Sequence, residues 1–180
     1  MVTATDDIGL LIKDCVANKR KAQETLYREF YSFAMNIALR YSRDEADAED
    51  IMSHAFVKIF KYLHTFDAAK GSLHGWIKKI VVHEGLDHIK SRERFSENVE
   101  LETVEEPAID NRALEKMGVE EIMELIQKLP PATHAVFVMY AVDGYNHREI
   151  AEKLQISEGT SKWHLSEARK KLQQAITLSK

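Results

Sequence analysis

His83-Glu84-Gly85-Leu86-Asp87-His88 sets two imidazoles around two carboxylates, the residue types from which zinc hydrolases assemble a metal centre. The spacing defeats that chemistry. A helical zinc motif needs its histidines at i and i+4 on one face, whereas His83 and His88 stand at i and i+5, about 140° apart around a helix. His54, His64, His74, His134, His147 and His164 show no ligand spacing, and neither a Gly-rich phosphate loop nor a Gly-x-Ser-x-Gly turn occurs. The chain is expected to be no enzyme and to hold no metal or cofactor. A second stretch offers recognition rather than reaction. "GYNHREIAEKLQISEGTSKWHLSEARKKL", from Gly144 to Leu172, holds two apolar rhythms with a break at Gln155-Ile156-Ser157.

The elements that must position these residues are helices. Period-two alternation is scarce, glycines are few and no Asn-Gly or Asp-Gly hairpin turn occurs. Composition is that of a soluble protein: 44% hydrophobic, 30% charged, with a net charge of −4. No apolar run reaches the roughly 20 residues that span a bilayer, and Met1–Asp7 lacks a basic, then apolar leader, so neither membrane insertion nor export is expected. Cys15 is the only cysteine, which rules out an intrachain disulfide and fits a cytoplasmic setting.

Charge divides the chain. Residues 1–94 carry 15 basic and 14 acidic side chains, residues 120–180 carry 8 and 8, and residues 95–119 carry 2 and 7. That acidic middle contains Pro107 and lacks a sustained helical stripe, so residues 95–118 read as an extended, self-repelling linker. The expected fold is all-α: a four-helix domain over 1–94 and a second over 119–180.

In the first domain, Leu26, Phe30, Phe33, Ile37 and Tyr41 recur at helical steps, as do Ala48, Met52, Ala55, Ile59, Tyr62 and Phe66. The second stripe follows an acidic opening of Asp44, Glu45, Asp47, Glu49 and Asp50, which complements the helix dipole. Ile51, Phe56, Phe60 and Leu63 widen its apolar face, as in a helix that is deeply buried or meets a partner. Phe66–Ser72 reads as a loop, and Leu73 to Arg94 as a helix with a basic tail; Asp7–Val16 supplies the first helix.

In the second domain, helices are expected over Val119–Leu129, Ala132–Val142, His147–Leu154 and Ser157–Ile176, with Pro130-Pro131 and Gly144 as punctuation. Ile150, Ala151 and Leu154 face inward, Ile156 plugs the turn and Ser157 caps the last helix. Ser161, Leu165, Ala168, Leu172 and Ile176 form that helix's inner side. Gly159, Trp163, Ser166, Glu167 and Lys170 point away, flanked by Lys162 and His164. This is helix-turn-helix logic, in which the second helix enters a major groove.

Two blocks carry a family resemblance. The segment beginning "DAEDIMSHAFVKIFKYL" and running to Arg92 resembles the second conserved domain of bacterial sigma-70-family transcription initiation factors. Leu129 to Leu172 resembles their C-terminal promoter-binding domain. The order and short linker are similar to the extracytoplasmic-function (ECF) subfamily, over most of residues 7–177. The resemblance implies that Asp47, Glu49, Asp50, His54, Phe56 and Lys58 dock on the beta-prime clamp of core RNA polymerase, which is also met through its beta subunit. It implies that Phe66, Lys70, Ser72, Trp76, Lys79, His83, Asp87 and Lys90 melt and read the −10 element of promoter DNA. It further assigns Glu158, Gly159, Thr160, Lys162, Trp163, His164, Glu167 and Lys170 to the duplex −35 element. An anti-sigma partner is common in the family. His83 stands where asparagine is expected, and Trp163-His164 and Glu167 depart from the usual small, basic or amide, and arginine residues. The competing reading is a helix-turn-helix regulator that acts without polymerase. Limited proteolysis of the free monomer is expected to cut first between Glu105 and Asn111; protection there, with cutting elsewhere, overturns the linker.

Overall fold

A computed structural model describes residues 4–92 and 118–178. The acidic stretch over residues 95–117 lies outside the described residues, as do Glu93 and Arg94 at the end of the expected basic helix. All described regular elements are helical, in line with the all-α expectation. The chain divides into two compact units, Met1–Asp87 and His88–Lys180.

The first unit contains α1 (Ala4–Val16), α2 (Arg20–Tyr41), α3 (Glu45–Tyr62) and α4 (Leu73–Arg92), the last of which spans the division. Between α3 and α4 the chain makes two short 3-10 turns: Ala68–Lys70 lies in the expected Phe66–Ser72 loop, whereas Leu63–Thr65 replaces the last turn of the helical stripe expected to reach Phe66. Asp44 starts α3 by accepting the Asp47 N–H at 2.8 Å, so its carboxylate satisfies an orphan donor as well as the dipole. α2 and α3 pack along each other, burying Leu26, Phe30, Ile37 and Tyr41 against Ala48, Ile51, Ala55 and Ile59. α1 lies on α2 and on the Leu63–Thr65 turn, with Cys15 only 2% exposed. α4 approaches α2 so closely that a Cβ on Gly85 would sit 2.7 Å from Tyr41 Cβ.

The second unit holds α5 (Val119–Gln127), α6 (Pro131–Phe137), α7 (His147–Leu154) and α8 (Glu158–Leu178). Pro131 opens α6 at a position whose missing N–H costs nothing. The helix expected over Ala132–Val142 stays α-helical only to Phe137. It then widens into a π turn over Val138–Val142, closed by the Asp143 N–H donating to the Val138 carbonyl at 3.0 Å. Asn146 and Glu149 form a capping box at the start of α7, each side chain accepting the other's backbone N–H. Gln155 ends α7 in the left-handed region at φ 57°, which turns the chain into α8.

The Gly85 contact generates a stability prediction. Alanine raises helix propensity by up to about 1 kcal/mol, but here its methyl group meets the rigid stem of a buried tyrosine. Gly85→Ala is expected to destabilise the protein by about 1–3 kcal/mol, the range for overpacking, measured by urea unfolding. A variant at least as stable as wild type would show that α2 and α4 separate freely.

Candidate functional site

The α7–turn–α8 segment is built from local signals. Ser157 Oγ accepts the Thr160 N–H at 2.9 Å and hydrogen-bonds the Thr160 hydroxyl at 2.9 Å, as a cap should. Ile150, Ala151 and Leu154 are buried, as are Ser161, Leu165, Ala168, Leu172 and Ile176 on the inner side of α8. On the outer side Glu158, Lys162 and Lys170 are exposed, while Gly159, Trp163 and Glu167 are half-buried. Three residues depart from the expected outer face. Thr160, His164 and Ser166 are all buried. The reason is that α5, α6 and α7 all pack on α8, so its covered arc is wider than a single stripe.

His164 illustrates the difference. Its Nδ1 lies 3.0 Å from Thr133 Oγ1 of α6, and its ring meets Trp163 edge-on at 4.9 Å. Burial lowers its pKa to about 4, against an opposing pull from the Glu167 carboxylate, so the ring is neutral at pH 7. Glu167 itself pairs with Lys171 at 3.3 Å, which offsets a charge that would otherwise repel phosphates.

In the first unit, Phe66, Lys70, Ser72, Trp76 and Lys79 come together around a cleft of about 340 Å³. Phe66 and Trp76 meet edge-on, with ring centroids 6.0 Å apart. Asp67 caps the Ala68–Lys70 turn through the Ala69 N–H and pairs with Lys70 at 3.4 Å. His83, Asp87 and Lys90 do not line this cleft. His83 and Asp87 pair at 3.4 Å farther along α4, and Lys90 is half-buried in its last turns.

The expected docking face on α3 is split. Glu49, Asp50 and His54 are exposed. Phe56 is only 4% exposed, with the Tyr27 ring tilted against it at 4.6 Å between centroids, so most of the ring is covered within the unit and only its edge reaches the surface. Asp47, 5% exposed, turns back to accept the Arg43 N–H at 3.4 Å. Lys58 forms an ion pair with the buried Glu84 of α4 and lies 3.9 Å from Asp87. The Glu84 hydrogen bond raises its pKa, outweighing burial, which lowers it. What remains open is a groove of about 530 Å³ between α2 and α3, lined by Tyr27, Tyr31, Glu49, Asp50, Phe56 and Val57 among others. Tyr27, Tyr31 and Val57 were not singled out from the sequence. The four-residue step from Tyr27 to Tyr31, off the buried stripe, was the available signal.

Comparison with known proteins places the chain in a family. Residues 26–95 match the family model for sigma-70 region 2, and residues 119–172 match that for sigma-70, region 4. The ECF RNA polymerase sigma factor SigE of Mycolicibacterium smegmatis is 23% identical over 154 residues, spanning 83% of this chain but only 59% of that protein. The ECF RNA polymerase sigma factor SigM of Mycobacterium tuberculosis is 29% identical over 159 residues, spanning 87% of this chain and 78% of that one. Among solved structures, the sigma factor RpoE in complex with the anti-sigma factor NepR from Bartonella quintana shares the fold. Its TM-score is 0.53 at 17% identity, over 87% of this chain and 98% of that chain.

Burial of His164 makes stability depend on pH. The unfolded chain takes up a proton near the ordinary pKa of 6.5, whereas the folded ring resists protonation down to about 4. Its contribution is therefore fully present above pH 6.5, is lost as pH falls towards 4, and changes no further below that. Unfolding in urea across this range should lose up to about 3 kcal/mol from this group. His164→Gln should flatten the slope by a corresponding amount; an identical slope in that variant would refute the buried, neutral ring.

Proposed function

The chain belongs to the ECF group of the sigma-70 family of transcription initiation factors, and from that membership we propose that it binds core RNA polymerase and places it at promoters. In this reading α8 holds the −35 element as duplex, with Lys162 and Lys170 on phosphates or guanine and Trp163 in apolar contact. Trp163 is half-buried, so its outer edge alone is offered to DNA. The cleft of the first unit takes the −10 element as a melted strand.

The observation that carries the proposal is that cleft. A base turned out of its stack needs a slot with an aromatic wall and nearby cations for its phosphates. Phe66 and Trp76 supply the wall, Lys70 and Lys79 the cations, and Ser72 a polar group at the rim. A regulator that binds only duplex has no use for such a slot. The groove between α2 and α3 is the matching polymerase surface: apolar at Tyr27, Tyr31 and Val57, acidic at Glu49 and Asp50. It suits an amphipathic helix of the beta-prime clamp that carries basic residues. The second unit would meet the beta subunit. An anti-sigma protein would silence the factor by covering the same groove. Such a factor works in the cytoplasm, where the polymerase is.

Core-binding and transcription assays separate the parts. Asp50→Lys is expected to weaken core binding about tenfold through charge reversal at the groove and to leave thermal stability nearly unchanged. Trp76→Ala should keep core binding but lose transcription from duplex promoters more than from templates opened at −10. Tight binding to a duplex operator, with no association with core polymerase, would favour the regulator instead.

A further inference from the structure

The inner side of the first turns of α8 is held by directional bonds. Ser161 Oγ lies 2.9 Å from His147 Nδ1 on α7, and His164 Nδ1 lies 3.0 Å from Thr133 Oγ1 on α6. Thr133 is 2% exposed and Ser161 is fully buried. His147 is itself oriented by stacking on Tyr140, at 4.7 Å between centroids and 24° between planes. Lys162 and Trp163 occupy the two positions between the anchors at Ser161 and His164.

Apolar packing tolerates small rolls and slides of a helix, because dispersion has no preferred direction. A hydrogen bond weakens steeply as its angle closes, and a buried partner left unmade carries the full cost of its lost water. Two such bonds, from different helices to positions three apart on α8, hold both its roll about its axis and its depth against the unit. We infer that His147, Ser161, Thr133 and His164 are positioning residues for promoter recognition: without touching DNA, they set the angle at which Lys162 and Trp163 meet the base edges. This rests on the reading of α8 as the duplex-binding helix.

The test uses the full chain with core polymerase and a duplex library randomised at −35, at a temperature where circular dichroism shows each variant fully folded. Thr133→Val and Ser161→Ala each remove one bond and preserve shape. Each is expected to cut the preference for the best −35 sequences over the average by about tenfold, the size of a single imperfect base contact. Core affinity and the salt dependence of binding should stay unchanged. Thr133→Ser, which keeps a hydroxyl, should restore the wild-type preference. Lys162→Ala and Trp163→Ala serve as controls. If either control alters the preference while Thr133→Val and Ser161→Ala leave it intact, the positioning role is overturned and α8 still reads DNA. If neither control alters it, the DNA reading fails, and the inference with it. Equal weakening on every sequence by Thr133→Val and Ser161→Ala would make the two bonds merely structural and also overturn the inference.

Discussion

Exclusion of water by a few short helices is the constraint on which both units depend. A unit of some 60 to 90 residues buries only about 60% of the surface its unfolded chain exposes. Each helix must therefore cover a neighbour with one side and still leave another for a partner. In the first unit the contact between Tyr41 and Gly85 sets the limit: α4 lies on α2 backbone to ring, with no side chain between them. The start of α4 is set separately by Ser72, whose Oγ accepts the Gly75 N–H at 3.1 Å and whose carbonyl accepts the Trp76 N–H at 3.0 Å, where the Trp76 ring meets Phe66.

The same economy governs α3. Its wide apolar face is mostly spent inside, on Ile51, Ala55, Phe56 and Ile59. The surface left over is completed by α2, whose Tyr27 and Tyr31 form one wall of the groove. Lys58 ties α3 to α4 through Glu84, so the helix proposed to meet polymerase is joined to the helix proposed to read the melted strand. In the second unit polar side chains do part of the packing. Thr133, Ser161 and His164 take core positions that a larger domain would give to aliphatic residues.

What could be read from the residues was local. Pro131 marked a helix start, Ser157 a cap and the Gln155–Ser157 break a turn, because each acts within a few positions of itself. The five apolar or small positions on the inner side of α8 followed from periodicity alone. The buried flanks did not, because one stripe reports one neighbour and α8 has three. The bond between Thr133 and His164 joins residues 31 apart and leaves no trace in either segment. The π turn after Phe137 has no periodic signature, since its one extra residue shifts the stripe without erasing it. Phe56 looked surplus because the residue that covers it, Tyr27, lies on a different helix.

The lone thiol has a use of its own. Cys15 is sealed on the inner side of the first helix, and burial followed by the nearby Asp14 charge raises its pKa, so little reactive thiolate forms at neutral pH. A labelling reagent reaches it only in molecules where α1 has lifted away. The rate of alkylation thus measures how often this edge of the domain breathes, without any introduced probe. Because α1 rests on the turn leading into the cleft, such a clock would register whether a ligand held there quiets the far side of the same unit.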